Sequence, residues 1–415
     1  MLKATQPIIR GLTQPLTAAL SEFTDLGILN APYLGQVTTR VMLPNRFSSS
    51  LKYANGRRAH FARDDIVALQ VIVPNFYINA PVGETGTGGV LTTSVSIEYP
   101  LGTRTQVPFG GATYGSVPDN SYLISDVLPI AIPNGSLLYA WEFWNNPAGF
   151  AYASYNSSPA PYLSEAYEYS ATSLLDKTLS GTIIKSDANN VNVFGCCGII
   201  AYTRRPSIYI GAGADSRAFG YEHAPNNPDL GEIADAVGGT FAYMLHAIPS
   251  AKVSIWNASH ANQLALSQFC SDIVLQGGIN DINSPATAAT VLAARDTARA
   301  YFPSSKRVHE TTLPPHTASS DGFTTLGGQT LASTVNNAQR VAFNDAVRAG
   351  RAGYAGYFDI ADAVESSRNS GLWNCPVAGG GTAPAVLTSG LHELKAGNDL
   401  IASSGVVNLG AFHRP

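Results

Sequence analysis

Charge is what this sequence has least of. Asp, Glu, Lys and Arg make up 13% of 415 residues, about half the usual share for a globular chain. The net charge is −4 and no Lys/Arg run occurs, which argues against nucleic acid as a partner. No apolar run approaches the ~18 residues of a membrane-spanning helix. The four cysteines, Cys196, Cys197, Cys270 and Cys375, include an adjacent pair that suits neither a zinc site nor an easy disulfide. They read as buried or partly buried thiols. The histidines are scattered, with no H-x-x-x-H and no His/Cys cluster, so no metal and no cofactor is expected. The opening stretch "MLKATQPIIRGLTQPLTAALSEF" breaks its apolar residues with Thr, Gln and Pro, which makes a poor signal peptide. The expectation is release without a signal, as an extracellular or virion protein, with a cytoplasmic location as the alternative.

What is abundant is Gly (39), Pro (25) and Tyr (19), against an ordinary apolar content of 45%. Hydroxyls and aromatics in place of Lys and Glu suit a secreted, virion or carbohydrate-facing surface. After an N-terminal segment (1–35), residues 36–205 alternate short β-rich runs such as "DDIVALQVIVPNFYI" and "VLTTSVSIEYP" with turn clusters such as "PVGETGTGG". That rhythm predicts an all-β sandwich or jelly roll. The Tyr- and Trp-rich stretch "LLYAWEFWNNPAGFAYASY" reads as sandwich core and edge rather than a sugar platform. "GRRAHFARDD" reads as a salt-bridge cluster at a strand start.

From 206 to 415 strands and helices alternate, which predicts an α/β domain with a parallel sheet. "SIYIGAG" and "CSDIVLQGG" are strands ending in glycine. "NPDLGEIADAVGGTFAYMLHAI" reads as a helix and "AKVSIWNAS" as the next strand. Sites in such sheets form beyond the strands' carboxyl ends. Three of those ends carry chemistry. Asp215 and Ser216 follow the first strand, a place for an exposed nucleophile whose own N–H faces an oxyanion. Asn280 and Asp281 follow the glycines of "QGG", and an Asn amide there can donate to a developing oxyanion. His392, in "LTSGLHELKAGNDLIA", reads as the start of the last helix. Nucleophile, oxyanion donor and base are the parts of an acyl-transfer site.

These blocks resemble the SGNH (GDSL-type) hydrolases, serine esterases with a flavodoxin-like α/β/α fold. "GADS" (Gly213–Ser216), "GIND" (Gly278–Asp281) and "SGLHELKAGNDLIA" match the family's blocks over roughly 207–403. The resemblance implies Ser216 as nucleophile, Asn280 as oxyanion donor and His392 as base, with Asp215, Gly278 and Asp281 about the pocket. Two blocks depart. The family's second-block glycine is absent from "WNASHANQ" (Trp256–Gln263), so Ala258 or Ser259 is expected to supply that backbone N–H, with His260 lining the pocket. Ser389 stands where the family's triad acid would be. The expectation is a serine esterase working through a Ser216–His392 dyad, most naturally on O-acetyl groups of a polysaccharide. The β-module would bind glycan or serve assembly, and a virion role would fit a homotrimer. The rival is a non-catalytic structural or receptor-binding protein, for example of a phage tail, that keeps the fold as scaffold. Asp321, Asp359 and Asp362 are the carboxylates considered as replacements for the missing acid.

Overall fold

The computed structural model describes residues 33–154, 162–185, 192–223, 228–375 and 387–412. Most of the N-terminal segment, 1–32, lies outside the described residues. Six short parallel strands form the central sheet: β1 (Val41–Met42), β2 (Ser207–Gly211), β3 (Ala242–Leu245), β4 (Asp272–Leu275), β5 (Arg307–Thr311) and β6 (Gly356–Phe358), in the order β1-β3-β2-β4-β5-β6. β2, β3 and β4 are buried at every residue, as strands covered on both faces must be.

The helices of this part are α1 (Ser216–Phe219), α2 (Glu232–Gly238), α3 (Val253–Ala258), α4 (Ala261–Ser267), α5 (Ile279–Asn283), α6 (Ala288–Tyr301), α7 (Thr334–Arg348), α8 (Ile360–Val364) and α9 (Lys395–Ser404). α2 and α8 both pack on α9, while α3 and α7 pack on α6. The chain leaves β2 toward β3 on one side and later runs from β4 to β5 on the other. Right-handed crossovers in opposite directions put the helices on opposite faces. The reversal falls between β2 and β4, where a doubly wound sheet opens a crevice.

Two expectations for individual elements change. The segment read as one helix over 227–248 holds, among its described residues, a short helix, α2, followed by strand β3. "AKVSIWNAS", read as a strand, is helix α3. Its Val, Ile and Trp favour a strand locally, but the Asp281 carboxylate accepts from Val253 and Ser254 N–H at 3.1 and 3.3 Å. That contact satisfies first-turn donors of α3 from 28 residues away, a capping role no local pattern reveals.

Among the described residues the first half holds two large antiparallel sheets and two smaller ones, one of three strands and one of two. One large sheet pairs Tyr33–Gln36 with Gly198–Thr203, then Ile66–Pro74, then Tyr122–Ile124. The other large sheet runs Gly115–Val117, Leu91–Glu98, Leu137–Asn145, Tyr53–Phe61 and Ala166–Ser170. Trp144, Phe150 and Phe194 are buried together in its aromatic core. Arg57 pairs with Glu98 at 2.9 Å and lies over the Tyr139 ring. Cys196, Cys197 and Cys270 are buried free thiols, and Cys375 is half-buried and free.

The halves interlock. Strand β1 comes from within residues 36–205 yet extends the parallel sheet. Tyr243 N–H donates to Thr38 O, and Gln36 N–H to Phe269 O at 2.7 Å. One hydrophobic cluster includes Ile72, Cys197 and Ile199 from the first half, with Ile208 and Met244 from the second. A boundary near 205 therefore divides the chain's rhythm but not its core.

Candidate active site

Beyond β2 the backbone turns through Ala212 (φ 56°) and Gly213 (φ 84°). Gly213 is required twice over. Its φ suits glycine, and a Cβ there would lie 2.6 Å from Val253 Cα. Across the crevice a Cβ on Gly277 would lie 2.2 Å from Gly213 O. The turns after β2 and β4 and the start of α3 thus meet backbone to backbone. Asp215 then caps α1, its carboxylate accepting from Arg217 N–H at 3.0 Å. Burial pushes the Asp215 pKa up to about 6, against the pull of Arg217. Ser216 opens α1 and is 6% exposed. Among the described residues its backbone N–H has no hydrogen-bond partner.

His392 Nε2 lies 2.9 Å from Ser216 Oγ. The two residues are 176 positions apart in the chain. Burial, the Arg217 guanidinium and His316 hold the His392 pKa down to about 4, so the ring is neutral at pH 7. A neutral ring that accepts from the serine at Nε2 carries its proton on Nδ1. His392 sits in the bend before α9 rather than at its start, because the helix begins at Lys395.

Asn280 lies in the first turn of α5, half-buried, with one amide N–H on Ala251 O at 3.0 Å. Its second N–H is left over for a ligand. Gly278 precedes it at φ 131°, where a Cβ would crowd Val291.

Three sequence-based placements are corrected. The turn after β3 is 246–252, not 256–263, because the strand lies at 242–245 rather than 251–259. Ala258 is the last residue of α3, and Ser259 spends its N–H on Ile255 O and Trp256 O. Neither stands at a strand end to receive an oxyanion. His260 stands at the N-cap position of α4 without a capping bond and stacks on Trp256 at 4.4 Å, with Tyr301 at 4.1 Å. Among the described residues it makes no contact with Ser216, Asn280 or His392. Ser389 is exposed, and its backbone N–H donates to His392 O at 3.1 Å. Its hydroxyl makes no bond to the His392 ring.

Two residues were not legible as site residues. Arg217, 3% exposed, donates to Leu391 O, Pro314 O and Pro315 O at 2.8, 3.0 and 2.6 Å. It thereby ties the serine's helix to the histidine's segment. Its only sequence signal is its position directly after Ser216. Glu222 Oε2 lies 3.9 Å from His392 Nδ1, and no spacing rule points to it.

A third cluster, His223, Asp235 and Asp399, gathers within 4.8 Å. His223 Nδ1 accepts from Gly231 N–H, so its proton is on Nε2, and Lys395 already holds Asp399 at 2.6 Å. A cluster paired in this way is poorly suited to a cation.

No family model and no curated relative matches the sequence. Solved structures align with the chain at low similarity. A lipolytic protein of the G-D-S-L family from Veillonella parvula DSM 2008 aligns at 14% identity and TM-score 0.35, over 49% of this chain and 97% of its own. A carbohydrate esterase family 2 enzyme with a carbohydrate-binding domain, from Corynascus thermopiles, aligns at 13% and TM-score 0.32, over 89% and 100%. A family two carbohydrate esterase from Cellvibrio japonicus aligns at 11% and TM-score 0.30, over 92% and 95%. At such low similarity the reading of the site rests on its own geometry. No helix among the described residues is long and apolar enough to cross a membrane.

Proposed function

We propose that the chain is an SGNH-type serine ester hydrolase acting on O-acyl groups, foremost O-acetyl, of a polysaccharide. The observation that carries this reading is the 2.9 Å approach of His392 Nε2 to Ser216 Oγ, inside the hydrogen-bond reach a nucleophile–base pair needs.

Ser216 Oγ attacks the ester carbonyl carbon while His392 Nε2 takes the hydroxyl proton. The Ser216 N–H and the free Asn280 N–H face the oxygen that becomes negative. The C–O bond to the alcohol then breaks, and His392 returns its proton to the departing oxygen. Water repeats the sequence against the acyl-serine, with His392 again as base, releasing the acid and restoring the serine. No cofactor or metal enters these steps.

A small polar groove lies beside the oxyanion helix, where the sugar is proposed to rest. Asn283, one turn beyond Asn280 on α5, lines it with His316, Ser333, Asn336 and Asn337. Amides, a hydroxyl and an imidazole pair well with sugar hydroxyls. The two large antiparallel sheets of the first half form, in this proposal, a sandwich module for glycan binding or assembly. Action outside the cell or on a virion belongs to the same proposal.

Purified protein is assayed with p-nitrophenyl acetate beside Ser216→Ala. A rate at least ~10³-fold lower in the variant is expected for loss of a nucleophile. Equal rates would sink the enzyme reading for short acyl esters.

A further inference from the structure

A neutral base that hands its proton back and forth needs something on Nδ1 to fix its tautomer and to meet the imidazolium as it forms. Ser389, at the expected position, turns away into solvent. The carboxylates considered from the sequence are occupied elsewhere. Asp321 accepts from Ser319, Thr324 and Thr325, Asp359 from Arg348 and Thr312, and Asp362 from Arg368. Glu393, the histidine's chain neighbour, is buried toward Arg217. Asp215 is turned to Arg217 N–H.

We infer that Glu222, presented by the turn that follows the nucleophile's own helix, is the positioning residue for His392. This rests on the hydrolase reading above. The turn is built to hold Glu222 in place. The chain leaves α1 through Gly220, and Tyr221 N–H returns to Ser216 O at 2.9 Å. His223 N–H returns to Gly220 O at 3.0 Å, and the His223 ring is buried with Nδ1 on Gly231 N–H. Between these anchors Glu222 takes φ 68°, a backbone state most side chains avoid. Tyr221 lays its ring against His392 at 4.6 Å, which sets the imidazole's plane.

The Glu222 side chain is 32% exposed and its Oε2 is 3.9 Å from Nδ1. That is about 1 Å longer than an N–H···O hydrogen bond. A small side-chain rotation closes the gap once the ring acquires charge, and substrate over the site removes the competing water. The other groups facing the ring, Arg217 and His316, oppose its protonation. Glu222 is the carboxylate that lies at Nδ1, 3.9 Å away. In effect the acid has moved from the histidine's segment to the serine's, so nucleophile, turn and carboxylate form one continuous stretch.

The test uses the full chain with Glu222→Gln and Glu222→Asp. Two readouts are taken: ester hydrolysis, and titration of the His392 ring by NMR in a Ser216→Ala background. Glu222→Gln is expected to lower kcat by about 10–100-fold with KM little changed, less than the ~10⁴ for a fully buried triad acid. Glu222→Asp is expected to fall between it and the parent. The His392 pKa is expected to drop in Glu222→Gln, with melting unchanged. An unchanged kcat and titration would overturn the assignment, and so would a kcat loss that tracks a lower melting temperature while the titration stays put. If the parent chain itself hydrolyses no ester, the hydrolase reading fails, and the titration still reports whether Glu222 acts on His392.

Discussion

At the scale of single residues, the site is a small set of hydrogen-bonding atoms with unequal roles. His392 must be neutral to accept from Ser216, and its pKa is held at about 4. The sign follows directly. Above pH ~4 the base is free, and below it the ring is protonated and hydrolysis stops. The acid limb of kcat/KM should therefore lie near pH 4 rather than near the ordinary histidine value of about 6.5. A limb at 6 or above, measured with a substrate that does not itself titrate, would contradict this. Asn280 offers one amide N–H to an oxyanion while the other holds Ala251 O. Asn280→Ala should lower kcat by ~10²–10³-fold with KM little changed, in steady-state assays on the same substrate. Ser216, Asn280 and His392 each stand beside a glycine turn in a recognisable block, so the sequence could put them forward. The role proposed for Glu222 had no such signal, because its approach to His392 depends on how a turn folds back against a segment 170 residues away.

At the scale of elements, long periodic segments were readable and short ones were not. The helices at Ala288–Tyr301 and Thr334–Arg348 carry their own caps, Thr287 and Ser333, so their signal is local. β3 and α3 exchange their apparent identities because their conformations are decided by partners outside the segment. Val253, Ile255 and Trp256 become helical where Asp281 meets the first-turn N–H groups. That exchange is what displaced the expected oxyanion donors to Ala258 and Ser259. Arg217 shows the same limit. It joins α1 to Leu391 O in the segment before α9 and to Pro314 O and Pro315 O in the loop after β5, all supplied from afar. Arg217→Met should cost about 3–5 kcal/mol, the range for removing one member of a buried charged network. Urea unfolding is the measurement, and a loss below ~1 kcal/mol would show that the clamp matters little to the fold.

At the scale of the whole molecule, the change of rhythm near residue 205 was legible, but the shared core was not. β1 extends the parallel sheet from the first half. Glu84, on a hairpin of that half, accepts from Asn262 and Gln263 N–H at 2.9 and 2.6 Å, capping α4. A strand edge completed by another segment gives no local signal, since two residues carry no period. Calorimetry should accordingly show one unfolding transition for both halves. Two well-separated transitions would mean the interlock is weak. The groove of Asn283, Asn336 and Asn337 and the β-rich half would then act as separate modules rather than faces of one body.

The central claim is that Ser216 is a nucleophile activated by His392. A serine-reactive fluorophosphonate tests it without knowledge of the substrate. Intact-mass and peptide analysis of the full chain should show one adduct, on Ser216, formed slowly or not at all in His392→Ala. No adduct on the native protein, or an equal rate of labelling without His392, would contradict the account.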